Sequence, residues 1–305
     1  KSKKKKNQKK ESEENPNLFV TIDKSALERS NRKLRAEFTF NNFVIGESNR
    51  FAFITSMKVA ESPYSILNPL YLFGDVGLGK THLMMAIGHY ILDKNINTNV
   101  VYTSAQQFTE DFFIYTKKDS KNIEFFYNKY RQADILLVDD IQLLENKPAT
   151  QEEFFKVFDY LHKNNKQIVI TSDRPANDLK LMSRLKSRFQ WGMPVDIKSP
   201  DKDLRINILK RKLDFLLSTP SDVPIECLET IAELFTNNIR ELEGVFNKLV
   251  AYSTLANGPI TMEMAERAIN DISTQKEKII SADYIQEVVS KYFNINKRDL
   301  KSSKR

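Results

Sequence analysis

The sequence predicts an α/β fold: a parallel sheet flanked by helices, followed by a small all-helical unit. Two observations carry this. Apolar strand-like runs alternate with amphipathic helical runs from about residue 70 to residue 198, and after Pro200 the strand-like runs stop while helical periodicity continues. The composition agrees, since 41% of the 305 residues are hydrophobic and 29% charged, enough to bury a full core in more than one unit.

Residues 1–17 are polar, charged and low in complexity, and are expected to form a disordered Lys-rich linker. Residues 18–198 form the α/β unit. Its opening segment, EFTFNNFVIGESNRFAF, has a turn at Gly46 and a helical pattern from Ser48 to about Ser62. Five strands follow as LYLF (70–73), NVVYTS (99–104), DILLVDD (134–140), QIVITS (167–172) and MPVDI (193–197). Several are almost continuously apolar, as strands covered on both faces should be. The helices between them read THLMMAIGHYIL, SAQQFTEDFFIYT and TQEEFFKVFDYLHKN, the last opened by a capping box from Thr150 to Glu153. An extra helix, KNIEFFYNKYRQ, stands before the third strand.

Residues 199–272 read as a helical lid. Its helices start at Ser199–Pro200, at Pro224, at NIRELEG and at TMEMAERAIND. Residues 273–305 run through STQKEKI into one more helical pattern, expected as a linker helix and the truncated start of a further helical domain.

The net charge is +7, but seven of the first ten residues are Lys and none is acidic, so the rest of the chain is formally neutral. Charge alone is therefore a weak argument that the folded part binds a polyanion. A single cysteine, Cys227, excludes a disulfide framework and fits a reducing, cytoplasmic setting. No run approaches the roughly 20 apolar residues of a membrane span. With neither an initiating Met nor a signal-peptide pattern, the chain is expected to start inside a longer protein.

The chemistry concentrates in GDVGLGKTHL. It matches G-x-x-x-x-G-K-[ST] between an apolar strand and an amphipathic helix. Gly74, Gly77 and Gly79 let the backbone turn its N–H groups toward phosphate oxygens at a helix N-terminus. Lys80 suits the β- and γ-phosphates of ATP, and Thr81 offers a hydroxyl to Mg²⁺. Gly74, Gly77, Leu78, Gly79, Lys80, Thr81 and His82 form the candidate cofactor-binding run. ILLVDD places two acids at the end of a buried strand: Asp139 is assigned to Mg²⁺ and Asp140 to the general base. QIVITSD ends the next strand with Thr171, Ser172 and Asp173, which either face the γ-phosphate or cap the turn before Arg174–Pro175. RLKSRFQWG sets Arg184 and Arg188 four residues apart on one helix face. They are either surface charge and structural ion pairs, or, lacking a local acid, a finger reaching a neighbouring subunit's γ-phosphate. Arg240, in NIRELEG, starts a lid helix and can fold back onto the nucleotide.

In that order, GDVGLGKTHL, ILLVDDIQLL, ITSDRP, RLKSRFQWG and NIRELEG resemble the DnaA family of bacterial replication initiators, within the AAA+ ATPases. The resemblance spans about residues 36–300, and QEEFF and INKRDL agree with it. It implies that Val44, Ile45 and Asn49 lie near adenine, that Asp173 and Arg240 are sensors of ATP against ADP, and that Arg188 is an arginine finger in trans. Arg184 would help to build the oligomer. The helices around 105–132 resemble the insertion that opens AAA+ rings into a helical filament. Phe113 and Lys147 fall near the family's single-stranded DNA surface, although Ala149 stands where a basic residue is common.

The implied function is an ATP-dependent initiator that binds the origin, assembles a helical oligomer and promotes unwinding, with slow hydrolysis as reset. Implied partners are origin and single-stranded DNA, further copies of itself, the replicative helicase or its loader, and acidic phospholipids. The family's helicase-recruiting N-terminal domain and most of its helix-turn-helix are expected to be missing. The alternatives are a helicase-loader-type or regulatory AAA+ ATPase and a metabolic P-loop kinase. The kinase would need an acceptor pocket that nothing after Pro200 suggests.

Overall fold

Parallel pairing of short apolar runs organises the molecule. The computed structural model describes residues 34–118, 123–216, 223–236 and 238–276, with residues 286, 289, 290 and 292. The Lys-rich start and nearly all of the expected C-terminal segment lie outside these residues. The strands are β1 (Leu70–Phe73), β2 (Val100–Ser104), β3 (Ile135–Asp139), β4 (Gln167–Ser172) and β5 (Met193–Asp196). They form one sheet in the order β2-β3-β4-β1-β5, with every pairing parallel. β3 and β4 are buried along their whole length, which explains the apolar runs 135–138 and 168–170 within them. Pro194, which cannot donate to a ladder, sits on the edge strand β5.

Alternate side chains of the sheet serve two cores. Leu70, Leu72, Ile135, Leu137 and Val169 pack with α1 (Arg50–Glu61) and α2 (Lys80–Lys94). Tyr71, Leu136, Val138, Ile168 and Ile170 face the other way. They meet α3 (Ala105–Lys118), α4 (Ile123–Arg131), α5 (Pro148–Lys163) and α6 (Ser183–Trp191). α1 buries Ala52, Thr55, Ser56, Val59 and Ala60, the spacing of one helical face. A third core unites α7 (Lys202–Leu216), α8 (Ile225–Leu234), α9 (Ile239–Ala256) and α10 (Met262–Lys276).

Two helix starts differ from the sequence reading. The expected Thr150–Glu153 capping box does not form, because α5 begins three residues earlier, with Lys147 as N-cap and Pro148, whose fixed φ suits a first turn, as its first residue. Thr150 is buried, and Glu153 instead accepts from Tyr127 and Lys156. In the lid, α7 starts after Asp201 rather than at Ser199–Pro200, since the Asp201 carboxylate accepts from the Leu204 N–H at 2.7 Å.

Parallel strands bring their carboxyl ends to one edge of the sheet. The register pairs Phe73 with Ser172 and Ser104 with Asp139, so the loop after β1 lies beside the ends of β3 and β4. Such edges are where open α/β sheets bind ligands.

Candidate active site

The loop after β1 has the backbone its glycines permit. Gly77 has φ +86° and Gly79 φ +92°, both in the left-handed region that side chains strain to adopt. Gly79 is the N-cap of α2, so the loop leads directly into a helix N-terminus. Lys80 is 7% exposed, and its Nζ donates to the carbonyls of Gly74 at 2.7 Å and Asp75 at 2.6 Å. These bonds hold the ammonium over the loop, where phosphate oxygens can exchange for carbonyls. Burial lowers the Lys80 pKa, the carboxylates of Asp140, Asp139 and Asp173 oppose that shift, and the Arg240 guanidinium adds to it. The acids at the ends of β3 and β4 and the lid arginine thus act on one lysine.

Asp139 is 6% exposed. The Thr81 hydroxyl donates to its two oxygens at 3.1 and 3.0 Å, and Thr171 and Tyr102 donate as well. Burial raises the Asp139 pKa, nearby Asp140 adds to the rise, and the hydroxyl donors counter it. Asp140 occupies a left-handed position at the N-cap of a 3₁₀ turn, φ +55°. Its N–H donates to Thr171 Oγ1 and its carboxylate accepts from Gln142. Thr171 ties β4 to Asp139 and to the Asp140 N–H, and the Asp173 carboxylate accepts a two-pronged bond from neighbouring Arg174 at 2.9 and 2.8 Å.

The lid reaches the loop through Asn238. Its side chain caps α9 by accepting the Arg240 N–H at 2.9 Å. A Cβ built on Gly77 would lie 2.1 Å from the same oxygen. A second helix N-terminus therefore faces the phosphate loop, with Arg240 exposed beside it. Gly77→Ala is expected to lower the thermal midpoint and weaken ATP binding together, because strained φ costs about 1–3 kcal/mol and the methyl displaces Asn238. Thermal unfolding with and without ATP checks this, and unchanged values would contradict the contact.

Val44, Ile45 and Asn49 form one turn against this site. The Asn49 amide accepts from Gly46 N–H at 2.8 Å and donates to Val44 carbonyl at 3.0 Å, so it shapes the turn. Ile45 is exposed, Phe43 rests on Gly79, and Gly46 packs on Leu204 of α7. Leu78 is buried in the core. The His82 ring donates to the Thr39 carbonyl at 2.7 Å, stacks on Phe38 and meets Phe43 edge-on, an engagement with the segment before the turn.

The arginines of α6 take part in ion pairs, one of the two readings that RLKSRFQWG allows. Each has an acidic partner in its own chain: Arg184 donates to Glu152 at 2.6 Å, and Arg188 pairs with Asp159 at 3.4 Å. Helix α5 lies alongside α6 and supplies both acids, which sequence distance concealed. Arg184 also lies over Phe155 and Arg188 over Trp191, around an open groove of about 520 Å³. Phe113, on α3, is half exposed, and Lys147 is the N-cap of α5, 34 positions apart in sequence.

Residues 34–196 match the bacterial DnaA ATPase domain. The chain belongs to the bacterial DnaA family. It is similar to domain III of the Thermotoga maritima replication initiation protein DnaA at 35% identity and TM-score 0.74, covering 78% of this chain and 98% of that one. A replication initiator DnaA bound to AMPPCP and single-stranded DNA is 32% identical with TM-score 0.65, covering 89% and 78%. AMPPCP-bound DnaA from Aquifex aeolicus is 33% identical with TM-score 0.67, covering 89% and 79%. The fold is accordingly that of an AAA+ P-loop ATPase.

The oxygens around Thr81 and Asp139 fit a small hard cation. Among the described residues no group of three or more His, Cys, Asp or Glu is placed to hold a metal by itself. A hydroxyl, one carboxylate and substrate phosphates are the set Mg²⁺ commonly uses. Among the same residues no helix is long and apolar enough to cross a membrane.

Proposed function

We propose that this chain is the ATP-switched core of a bacterial replication initiator, in which bound ATP licenses assembly on DNA. The observation that carries it is the Lys80 ammonium held over the glycine loop, with Thr81 of the same helix start bonded to Asp139 at the end of β3 and Asn238 of the lid against Gly77. In this reading the loop N–H groups and Lys80 bind the β- and γ-phosphates, and Thr81 and Asp139 hold Mg²⁺. Magnesium would neutralise phosphate charge when bound. Asp140 orients or deprotonates water, while Asp173 and Arg240 register whether a γ-phosphate is present.

Arg188 completes the neighbour's site as a finger in trans, exchanging Asp159 for phosphate, and Arg184 steadies the same face. The long 3.4 Å contact and partial exposure of Arg188 make that exchange inexpensive. Hydrolysis then resets the assembly. Phe113 and Lys147 are proposed to contact single-stranded DNA, consistent with the DNA-bound relative. Origin binding and unwinding, contact with the helicase or its loader, binding of acidic phospholipids and a cytoplasmic, nucleoid-associated setting are extended to this chain from family membership.

The test is nuclease protection of single-stranded DNA with sedimentation in parallel. ATP should yield oligomers and protected DNA, and ADP neither. Equal protection in both nucleotides would overturn the switch.

A further inference from the structure

The carboxylate of Asp139 is surrounded by hydroxyl donors, one of which belongs to a strand with no other part in the site. Its Oδ1 accepts from Thr81 and Thr171, and its Oδ2 from Thr81 and, at 3.1 Å, from Tyr102. Tyr102 lies in β2, paired to β3, and its ring packs against the core shared by the sheet, α1 and α2. Phenylalanine would fill the same core space, so what the tyrosine adds is the hydroxyl that reaches Asp139.

We propose that Tyr102 is a positioning residue for the metal-binding carboxylate: together with Thr171 it fixes the rotation of Asp139, keeping the carboxylate turned to Thr81. This rests on the assignment of Thr81 and Asp139 to Mg²⁺ made above. A carboxylate as buried as Asp139 has few other donors to replace a lost one. Partners that orient a metal ligand typically set metal affinity by roughly 10- to 100-fold. Thr171 performs a second task that Tyr102 does not, since it also accepts the Asp140 N–H. Tyr102 is therefore the cleaner position for a test.

The experiment measures ATP affinity against Mg²⁺ concentration, and in EDTA, for the parent chain and Tyr102→Phe. In Tyr102→Phe the Mg²⁺ concentration giving half-maximal tightening of ATP should rise about tenfold. Affinity in EDTA should not change. An unchanged Mg²⁺ half-point, or an equal loss of affinity in EDTA, would overturn the positioning role. Asp139→Asn separates the two levels of inference. If that variant keeps Mg²⁺-dependent tightening, the metal assignment itself fails. If it loses the tightening while Tyr102→Phe does not, only the role of Tyr102 fails.

Discussion

Lys80→Ala is expected to abolish measurable ATP binding. The side chain is 7% exposed and is the cation of the loop, and the charges of the carboxylates at the ends of β3 and β4 act on it. A triphosphate brought there without Lys80 meets those carboxylates uncompensated. Removing one partner of a desolvated, hydrogen-bonded charge pair costs about 2–5 kcal/mol, roughly 30- to 4,000-fold in affinity. The fold should survive, because Lys80 bonds only to carbonyls of its own loop, and these can turn to water. Equilibrium binding of a fluorescent ATP analogue, with thermal unfolding as the folding control, decides the matter. Tight binding by the variant would remove Lys80 from the phosphate site.

The second large effect belongs to Arg188. Arg188→Ala should leave ATP affinity nearly unchanged while abolishing ATP-driven assembly, because its guanidinium lies on α6 beside Trp191 and contacts α5 rather than its own phosphate loop. Truncating an interface arginine of this kind costs about 2–4 kcal/mol, roughly 30- to 700-fold per contact. Repeated along a filament, such a loss eliminates long oligomers. The intrachain pair with Asp159 is partly exposed and contributes at most about 1 kcal/mol, so the thermal midpoint should move little. Sedimentation with ATP, beside a direct ATP titration, separates the two properties.

The sequence made the catalytic end of the sheet legible because its chemistry is written at fixed spacing. GDVGLGKT and ILLVDD need their residue types at those positions whatever the rest of the chain does, and the structure sets Thr81 against Asp139 across 58 residues. The five strands were legible because burial on both faces leaves little room for polar residues. Contacts between distant elements were not. The acids facing Arg184 and Arg188 come from α5, some 30 positions upstream, and nothing in RLKSRFQWG announces them. Asn238 is readable as a helix cap from NIRELEG, but its approach to Gly77 depends on how the lid meets the loop. Tyr102 in VVYTS looks like one more core aromatic, and only the pairing of β2 with β3 carries its hydroxyl to Asp139. The Thr150 capping box failed for a local reason, since Pro148 started the helix first.

Mixing two defective chains tests whether one subunit's ATP site is completed by the next subunit's Arg188. Lys80→Ala subunits keep Arg188 but hold no ATP, and Arg188→Ala subunits hold ATP but offer no finger. Sedimentation velocity in ATP should find each variant monomeric alone and an equimolar mixture forming one-to-one pairs. A mixture that stays monomeric, or Arg188→Ala alone assembling as the parent does, would contradict a site shared in trans.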